Sequence, residues 1–284
     1  ELKRNWSKKK NHYHAWGANV KYICRRKACH RKNHLLLNEE MYQFTHKCLL
    51  QYWSPEIISG KWNIEHSEKL SFSSIYRAVR TGKFPGIKPW THFRRKAKPY
   101  SNQKKSYTRF FDSSIHDRPI DADKRSRFGD FEGDTIYGSV GKGYLVTVVD
   151  RRSRLLTAAI CKDKTIPVIN NAFAVAFEKV SNQITPLTLT LDNGTEFLGY
   201  KEIEKENNLK VFFADSHSPW QRGSNENING LLRFFFPRGT DFRNLSQAQL
   251  DSVISLINNR PRKCLGYLSP IEFINKSVAL SLTI

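Results

Sequence analysis

Three carboxylates in this chain sit where they could work together: Asp134, Asp192 and Glu226. Asp134 lies at the end of the strand-like run Phe131-Glu132-Gly133-Asp134-Thr135-Ile136, and Asp192 opens the turn Asp192-Asn193-Gly194 after the apolar run Leu187–Leu191. Glu226 stands in the first turns of a helix whose apolar stripe is Ile228, Leu231, Leu232 and Phe235. At 100° per residue Glu226 is off that stripe, on the face shared with Asn229, Gly230 and Arg233. Each residue alone has an ordinary explanation: a strand-end cap, a turn, a solvated acid favoured by a helix dipole. Together they describe different chemistry. Like charges that converge are unstable without a counter-charge, and hard divalent cations remove the penalty. Two such ions roughly 4 Å apart would clamp the attacking and leaving oxygens of an in-line phosphoryl displacement.

The elements that must position these groups run from Phe128 to the end of the chain. Tyr144–Val149 and Leu155–Cys161 read as strands, with Asp150-Arg151-Arg152-Ser153 as a polar hairpin tip between them. Ile166–Val180 reads as a helix with the stripe Ile169, Ala172, Phe173, Ala176, Phe177 and Val180. A helix near Leu198–Asn207 and a strand at Val211–Phe213 follow, and then the Glu226 helix. The last expected helix starts at Ser246, with Gln249 completing a capping box and Leu245 and Leu250 as a hydrophobic staple. Three strands, then helix, strand, helix, strand, helix give a mixed sheet with helices on its faces. Functional groups in such sheets gather at strand ends and adjoining helix starts.

Upstream the composition changes. The 284 residues hold 47 Lys/Arg against 26 Asp/Glu, a net charge of +21, of which residues 1–127 contribute 29 Lys/Arg against 10 Asp/Glu. A basic arm on a nearly neutral body suits a polyanion, because each neutralised phosphate releases counterions. Lys/Arg clusters alternate with Trp6, Tyr13, Trp16 and Tyr22, and Arg94-Arg95-Lys96 marks a basic connection toward the body. Ser54-Pro55 starts one helix and Ser73–Thr81 forms a second, compatible with a helix-turn-helix or a plain helical hairpin. Hydrophobic content of 39% supplies a core and excludes wholesale disorder, and no apolar run is long enough to span a bilayer. Five scattered Cys argue against a disulfide framework and for a reducing compartment, and the spacing around Cys24, Cys29 and His30 matches no zinc-binding pair. The only Met is Met41 and the chain opens at Glu1, so it is expected to begin inside a larger protein.

With their spacing of fifty-seven and thirty-three intervening residues, the three acids and their surroundings resemble the Asp-Asp-Glu transposases of bacterial insertion sequences, specifically the IS-thirty family. The strings that carry the resemblance are RFGDFEGDTI (127–136), TLDNGTEF (190–197), FFADSHSPWQRGSNENINGLLRFFFPRGTDF (212–242) and NNRPRKCLGYLSPIEF (258–273). WSPEIISGKW and SFSSIYRAVRTG resemble the family's second helical DNA-binding region, and ELKRN the tail of an upstream recognition helix. Tyr200, Ser216-His217 and Asp150 depart from the family's pattern, and none of them touches the three acids.

The resemblance implies an α/β fold: a ribonuclease-H-like mixed sheet flanked by helices, preceded by a basic, mostly helical DNA-binding arm. The expected divisions are 1–50 and 51–97 for the two helical DNA-binding regions, 98–126 for a linker, and 127–284 for an integrase-type catalytic core. It further implies a DNA transposase using two Mg²⁺ or Mn²⁺ ions, with Asp134 bridging them and Asp192 and Glu226 holding one each. Water would nick the element end, and the freed 3′-OH would attack a target phosphodiester without a covalent protein intermediate. Trp220, Arg222 and Arg233, with Arg94, Arg95 and Lys96, are the expected DNA contacts. The expected partners are double-stranded DNA, as inverted-repeat ends and target, and further copies of the chain, in the bacterial cytoplasm at the nucleoid. The alternative is a truncated or domesticated copy that only binds DNA.

Overall fold

In a computed structural model of the chain, the described residues are 15–28, 34–93, 112–139, 141–216 and 218–281. Helix α1 (Ala15–Ala28) precedes a cluster of α2 (Glu39–Leu50), α3 (Pro55–Glu65), α4 (Phe72–Arg80) and the short α5 (Pro89–His92). Asn38 caps α2 by accepting from the Met41 amide at 2.9 Å, a start the sequence reading did not single out. The α3 start at Ser54-Pro55 is as expected, although the Ser54 hydroxyl does not bond the helix. Met41, Leu49, Ile58, Trp62, Ile75 and Val79 close a core of their own. The long polar connection from α3 to α4 is pinned rather than loose. The Trp62 indole donates to the Glu68 carbonyl at 2.8 Å, and the Leu70 amide donates to Asn63 Oδ1 at 2.7 Å.

The body is built around β1 (Asp130–Tyr137). It pairs antiparallel with β2 (Tyr144–Asp150), which pairs antiparallel with β3 (Leu156–Cys161). On its other edge β1 runs parallel to β4 (Thr188–Leu191), and β4 to β5 (Lys210–Phe213), for an order of β3-β2-β1-β4-β5. Between the arm and β1 lies α6 (Ile120–Lys124), a helix inside the stretch expected to be linker. The remaining helices are α7 (Ile166–Ser181), α8 (Tyr200–Asn207), α9 (Gly223–Phe235), α10 (Gln247–Asn258) and α11 (Pro270–Ser281). The capping box at Ser246 and Gln249 forms as its residues predict. Helix α11 lies beyond the last helix read from the sequence.

One sheet face is apolar: α7 lays Phe173 and Phe177 on it, and the Phe177 ring meets Phe131 edge-on at 5.4 Å. Gly133 lets that face close, since a Cβ there would stand 2.7 Å from Leu191 Cδ2 and 3.0 Å from Phe173 Cε1. The opposite face takes α9 and α10 against Ile136, Leu145, Val149 and Leu156. Ring contacts are among those that join arm and body. Tyr52 packs edge-on against Phe234 and Phe235, and Gly60 lies so close to Tyr267 that a Cβ would come within 2.0 Å of its ring.

One expectation is refined and one corrected here. The polar tip at Asp150–Ser153 is a hairpin tip as expected, but one turned inward: Asp150, Arg151 and Ser153 are buried, and Asp150 accepts from the Gly129 and Ser153 amides at 3.0 and 2.6 Å. Asp134 lies inside β1 rather than at its end, paired with Thr147 on β2. It is β4 that stops early, so Asp134 still projects past the carboxyl end of its parallel neighbour.

Candidate functional site

Strand register places the first two acids. Asp130, Phe131 and Glu132 pair with Thr188, Leu189 and Thr190, and the same offset carried two residues further sets Asp134 beside Asp192. Side chains alternate along a strand, so Asp130, Glu132 and Asp134 share the face of Thr188, Thr190 and Asp192. The Thr188 hydroxyl confirms that shared face by donating to Asp130 Oδ1 at 2.8 Å.

Between Asp134 and Asp192 stands the guanidinium of Arg222, the residue that caps α9. Its Nη2 is 3.2 Å from Asp134 Oδ2 and its Nη1 is 2.9 Å from Asp192 Oδ2. Burial raises the Asp134 carboxyl above its usual range and Asp192 pushes the same way, while Arg222 and the Thr135 amide oppose them. Burial disfavours charge on Arg222, but the two aspartates outweigh it and hold the guanidinium firmly protonated. Arg222, expected to meet DNA, is in this structure the counter-ion of the two aspartates.

Glu226 lies in the first turn of α9 and is exposed. Four residues before it is Arg222 and three after it is Asn229, whose Nδ2 donates to Asp134 Oδ2 at 2.7 Å. The neighbours of Glu226 on its side of the helix thus both reach Asp134, although Glu226 does not join the two aspartates. Among the described residues, no group of three His, Cys, Asp or Glu side chains is gathered to hold a metal ion. Two hard carboxylates sharing one cation nevertheless fit a divalent ion in charge and donor type.

A layer of buried charge fixes the helix that carries Glu226. Glu132, fully buried two residues before Asp134, accepts from Arg151 Nη1 at 2.6 Å and from the Asn225 amide at 2.8 Å. That amide is among the first of α9, which lack partners within the helix, so the carboxylate caps it and favours its dipole. Arg151 also donates to the Gln221 carbonyl at 3.1 Å and, through Nε, to the Ala122 carbonyl at 2.9 Å. Burial, partly offset by Glu132, pulls the Arg151 guanidinium down to about 10. Neither residue was singled out in the sequence; the usable signal was an acid two positions before Asp134 on the same strand face.

The other expected DNA contacts divide. Trp220 is 72% exposed and open to a partner. Arg233 lies over the Tyr137 ring at 5.7 Å, with its Nη1 buried and unbonded among the described residues. Arg94, Arg95 and Lys96 lie outside the described residues.

The sheet order, with β1 antiparallel to β2 and parallel to β4, and an acid pair at the β1–β4 edge, define a ribonuclease-H-like core. Comparison with known proteins gives the family. The chain is 36% identical over 277 residues to the transposase for insertion sequence element IS4351 of Bacteroides fragilis, covering 96% of this chain and 83% of that one. It is 38% identical over 167 residues to transposase InsI for insertion sequence element IS30A of Escherichia coli K12, covering 59% and 43%. A putative integrase of a Spiroplasma virus is 29% identical over 273 residues, covering 94% and 82%. No family model matches the chain. Among solved structures, the BIV integrase catalytic core domain aligns at TM-score 0.41 and 19% identity over 54% of this chain and 98% of that one. The HTLV-2 integrase catalytic core domain with magnesium, in dimeric form, aligns at 0.39 and 20% over 52% and 97%. The chain belongs to the IS30 family of insertion-sequence transposases, as its motifs led one to expect, and its function is DNA transposition. No helix among the described residues is long and apolar enough to cross a membrane.

Proposed function

We propose that the chain cleaves DNA at the inverted-repeat ends of an insertion sequence and joins those ends to target DNA, with Asp134, Asp192 and Glu226 as its metal-binding carboxylates. The observation that carries this reading is the convergence of Asp134 and Asp192 on one cation at the β1–β4 edge, with the head of the Glu226 helix alongside. Mg²⁺ or Mn²⁺, as two ions held by these acids, would stabilise charge on the attacking and leaving oxygens of the phosphodiester. Asp134, rigid within β1 and oriented by Asn229 and the Thr135 amide, fixes the position of the site. Asp192, half exposed in its turn and accepting from the Gly194 amide at 3.1 Å, faces incoming DNA. Arg222 offsets one of the two negative charges of the pair, and would become available to a phosphate if a divalent cation took its place. Trp220 offers an exposed ring for stacking on a distorted end. The arm would grip the duplex, with two or more copies of the chain on each pair of ends.

The test is purified protein with Mg²⁺ or Mn²⁺ and labelled DNA carrying the element ends. Asp134→Asn, Asp192→Asn and Glu226→Gln should each slow nicking about a thousandfold or more, the several kcal/mol of charge stabilisation such ions supply. Their circular dichroism and urea midpoints should stay near those of the parent. Nicking by Asp134→Asn at the parent rate would sink the carboxylate assignment.

A further inference from the structure

A cavity with basic and apolar walls opens on the other side of α9. It encloses about 570 Å³ and is lined by Arg125, Arg154, Arg260, Arg262 and Lys263, with Gly223, Ser224 and Asn227 of α9 as one wall and Ser54 of the arm at another. No Asp or Glu is among its lining residues. Five basic side chains therefore face one space, and like charges so gathered favour an anion there. Burial pulls the Arg125 guanidinium below the usual range and the charge of Arg154 pulls it further, with Glu132 opposing them. Arginine does not relieve such repulsion by losing its proton.

The backbone gives an independent sign. Arg125 and Arg154 both adopt left-handed conformations, with φ of 56° and 65°. Arg125 terminates α6 at a position where glycine is the usual residue. An L side chain there carries strain, and strain retained at such a position points to a use for its side chain. Arg154 is also aimed, donating from Nη1 to the Ser224 hydroxyl at the head of α9. Amides of a helix start add positive potential to the same wall.

We propose that this cavity is a phosphate site, and that it holds one backbone phosphodiester of the DNA strand passing between arm and body. The ligand chemistry is that of a phosphate oxyanion, bound by forked guanidinium donors that suit it. Ser54 and Ile57 of the arm share the cavity with α9, so an occupant would tie the arm to the helix bearing Glu226. The inference rests on the chain's action on DNA and not on the assignment of the three carboxylates.

Cys264 lines the cavity and is exposed, which supplies a reporter. The experiment uses the full chain with Cys24 and Cys29 changed to Ser and with Asp134→Asn, in the absence of divalent metal, so that binding is read without cleavage. Saturating duplex DNA should protect Cys264 from iodoacetamide at least about tenfold, and Arg125→Gly or Lys263→Gln should abolish that protection. Each substitution should also lower the slope of log affinity against log salt by about one, the signature of one lost phosphate contact. Arg125→Gly separates binding from folding, because glycine relieves the left-handed strain: its urea midpoint should equal or exceed the parent's. Protection by millimolar inorganic phosphate but not by DNA would support an anion site while assigning it to free phosphate. An unprotected Cys264 with both anions, together with an unchanged salt slope in both variants, would overturn the proposal.

Discussion

The two faces of β1 are made from alternate residues of one eight-residue strand, and they solve opposite problems. Phe131 and Gly133 meet the phenyl rings of α7 by packing alone. Asp130, Glu132 and Asp134 meet Arg127, Arg151 and Arg222 in a face where buried charges are answered one for one. The apolar face fixes where the strand lies. The charged face fixes what lies on top of it, because Glu132 caps the helix that carries Glu226 while Asp134 shares Arg222 with Asp192. Packing is non-directional and tolerates adjustment, whereas a carboxylate shared by a guanidinium and a helix amide defines a position.

The largest effect should come from breaking the charged face. Glu132→Ala would leave Arg151 buried without its partner and should cost about 3–5 kcal/mol in urea unfolding. Glu132→Gln keeps the shape but not the charge; it should still fold and should lower kcat for nicking at least about tenfold with little change in DNA affinity. The apolar face provides the control. Phe173→Ala should cost about 3–5 kcal/mol through its cavity, yet Phe173→Leu, a smaller loss, should leave kcat per folded molecule unchanged. Equal losses of kcat in Glu132→Gln and Phe173→Leu would mean that the two faces do not divide the work.

Next comes the ion at the site. Arg222→Gln leaves Asp134 and Asp192 without their counter-charge and should destabilise the metal-free protein by about 1–3 kcal/mol. The same change removes the competitor for a divalent cation, so Mn²⁺ should bind about tenfold more tightly by calorimetry, equivalent to about 1.4 kcal/mol. Added Mn²⁺ should then recover the lost stability in the variant. Unchanged or weaker Mn²⁺ binding would show that Arg222 does not stand where the metal goes.

The apolar side of this comparison was legible in the sequence and the charged side much less so. The stripe of α7 and the alternation along β1 to β3 each announce a buried face through local spacing, and those elements form within a residue or two of where they were read. Asp150-Arg151-Arg152-Ser153 reads only as a polar hairpin tip because nothing local to four polar residues reports burial. Their partners are Gly129, Glu132 and the segment before α9, up to seventy residues away. Glu132 was passed over for the same reason, since its helix amide lies 93 residues further on. The strand ends and the Asp192 turn did make Asp134 and Asp192 recognisable as a pair. That Arg222 would lie between them was invisible, because a basic residue next to a helix start looks equally suited to DNA.

The smallest predicted effect isolates burial acting almost alone. Cys161 belongs to the apolar face and Cys48 to the core of the arm; burial pushes each thiol up to about 12. On the charged face the same force on Asp134 is resisted by Arg222, whereas nothing of comparable weight resists it at these thiols. The folded state therefore keeps two protons that the unfolded chain releases above its ordinary thiol value of 9.0. Their contribution to stability is complete below that value and is lost as the pH rises toward the folded value. Urea unfolding between pH 9 and 10 should lose at most about 1 kcal/mol per thiol for that unit of pH. Cys48→Ala with Cys161→Ala should flatten the decline. At pH 8.5 iodoacetamide should modify Cys24 and Cys264, which are exposed, and leave Cys48 and Cys161 untouched until urea is added. Alkylation of Cys161 in the folded protein would mean that the α7 face opens more readily than its packing allows, and the contrast between the two faces would lose its basis.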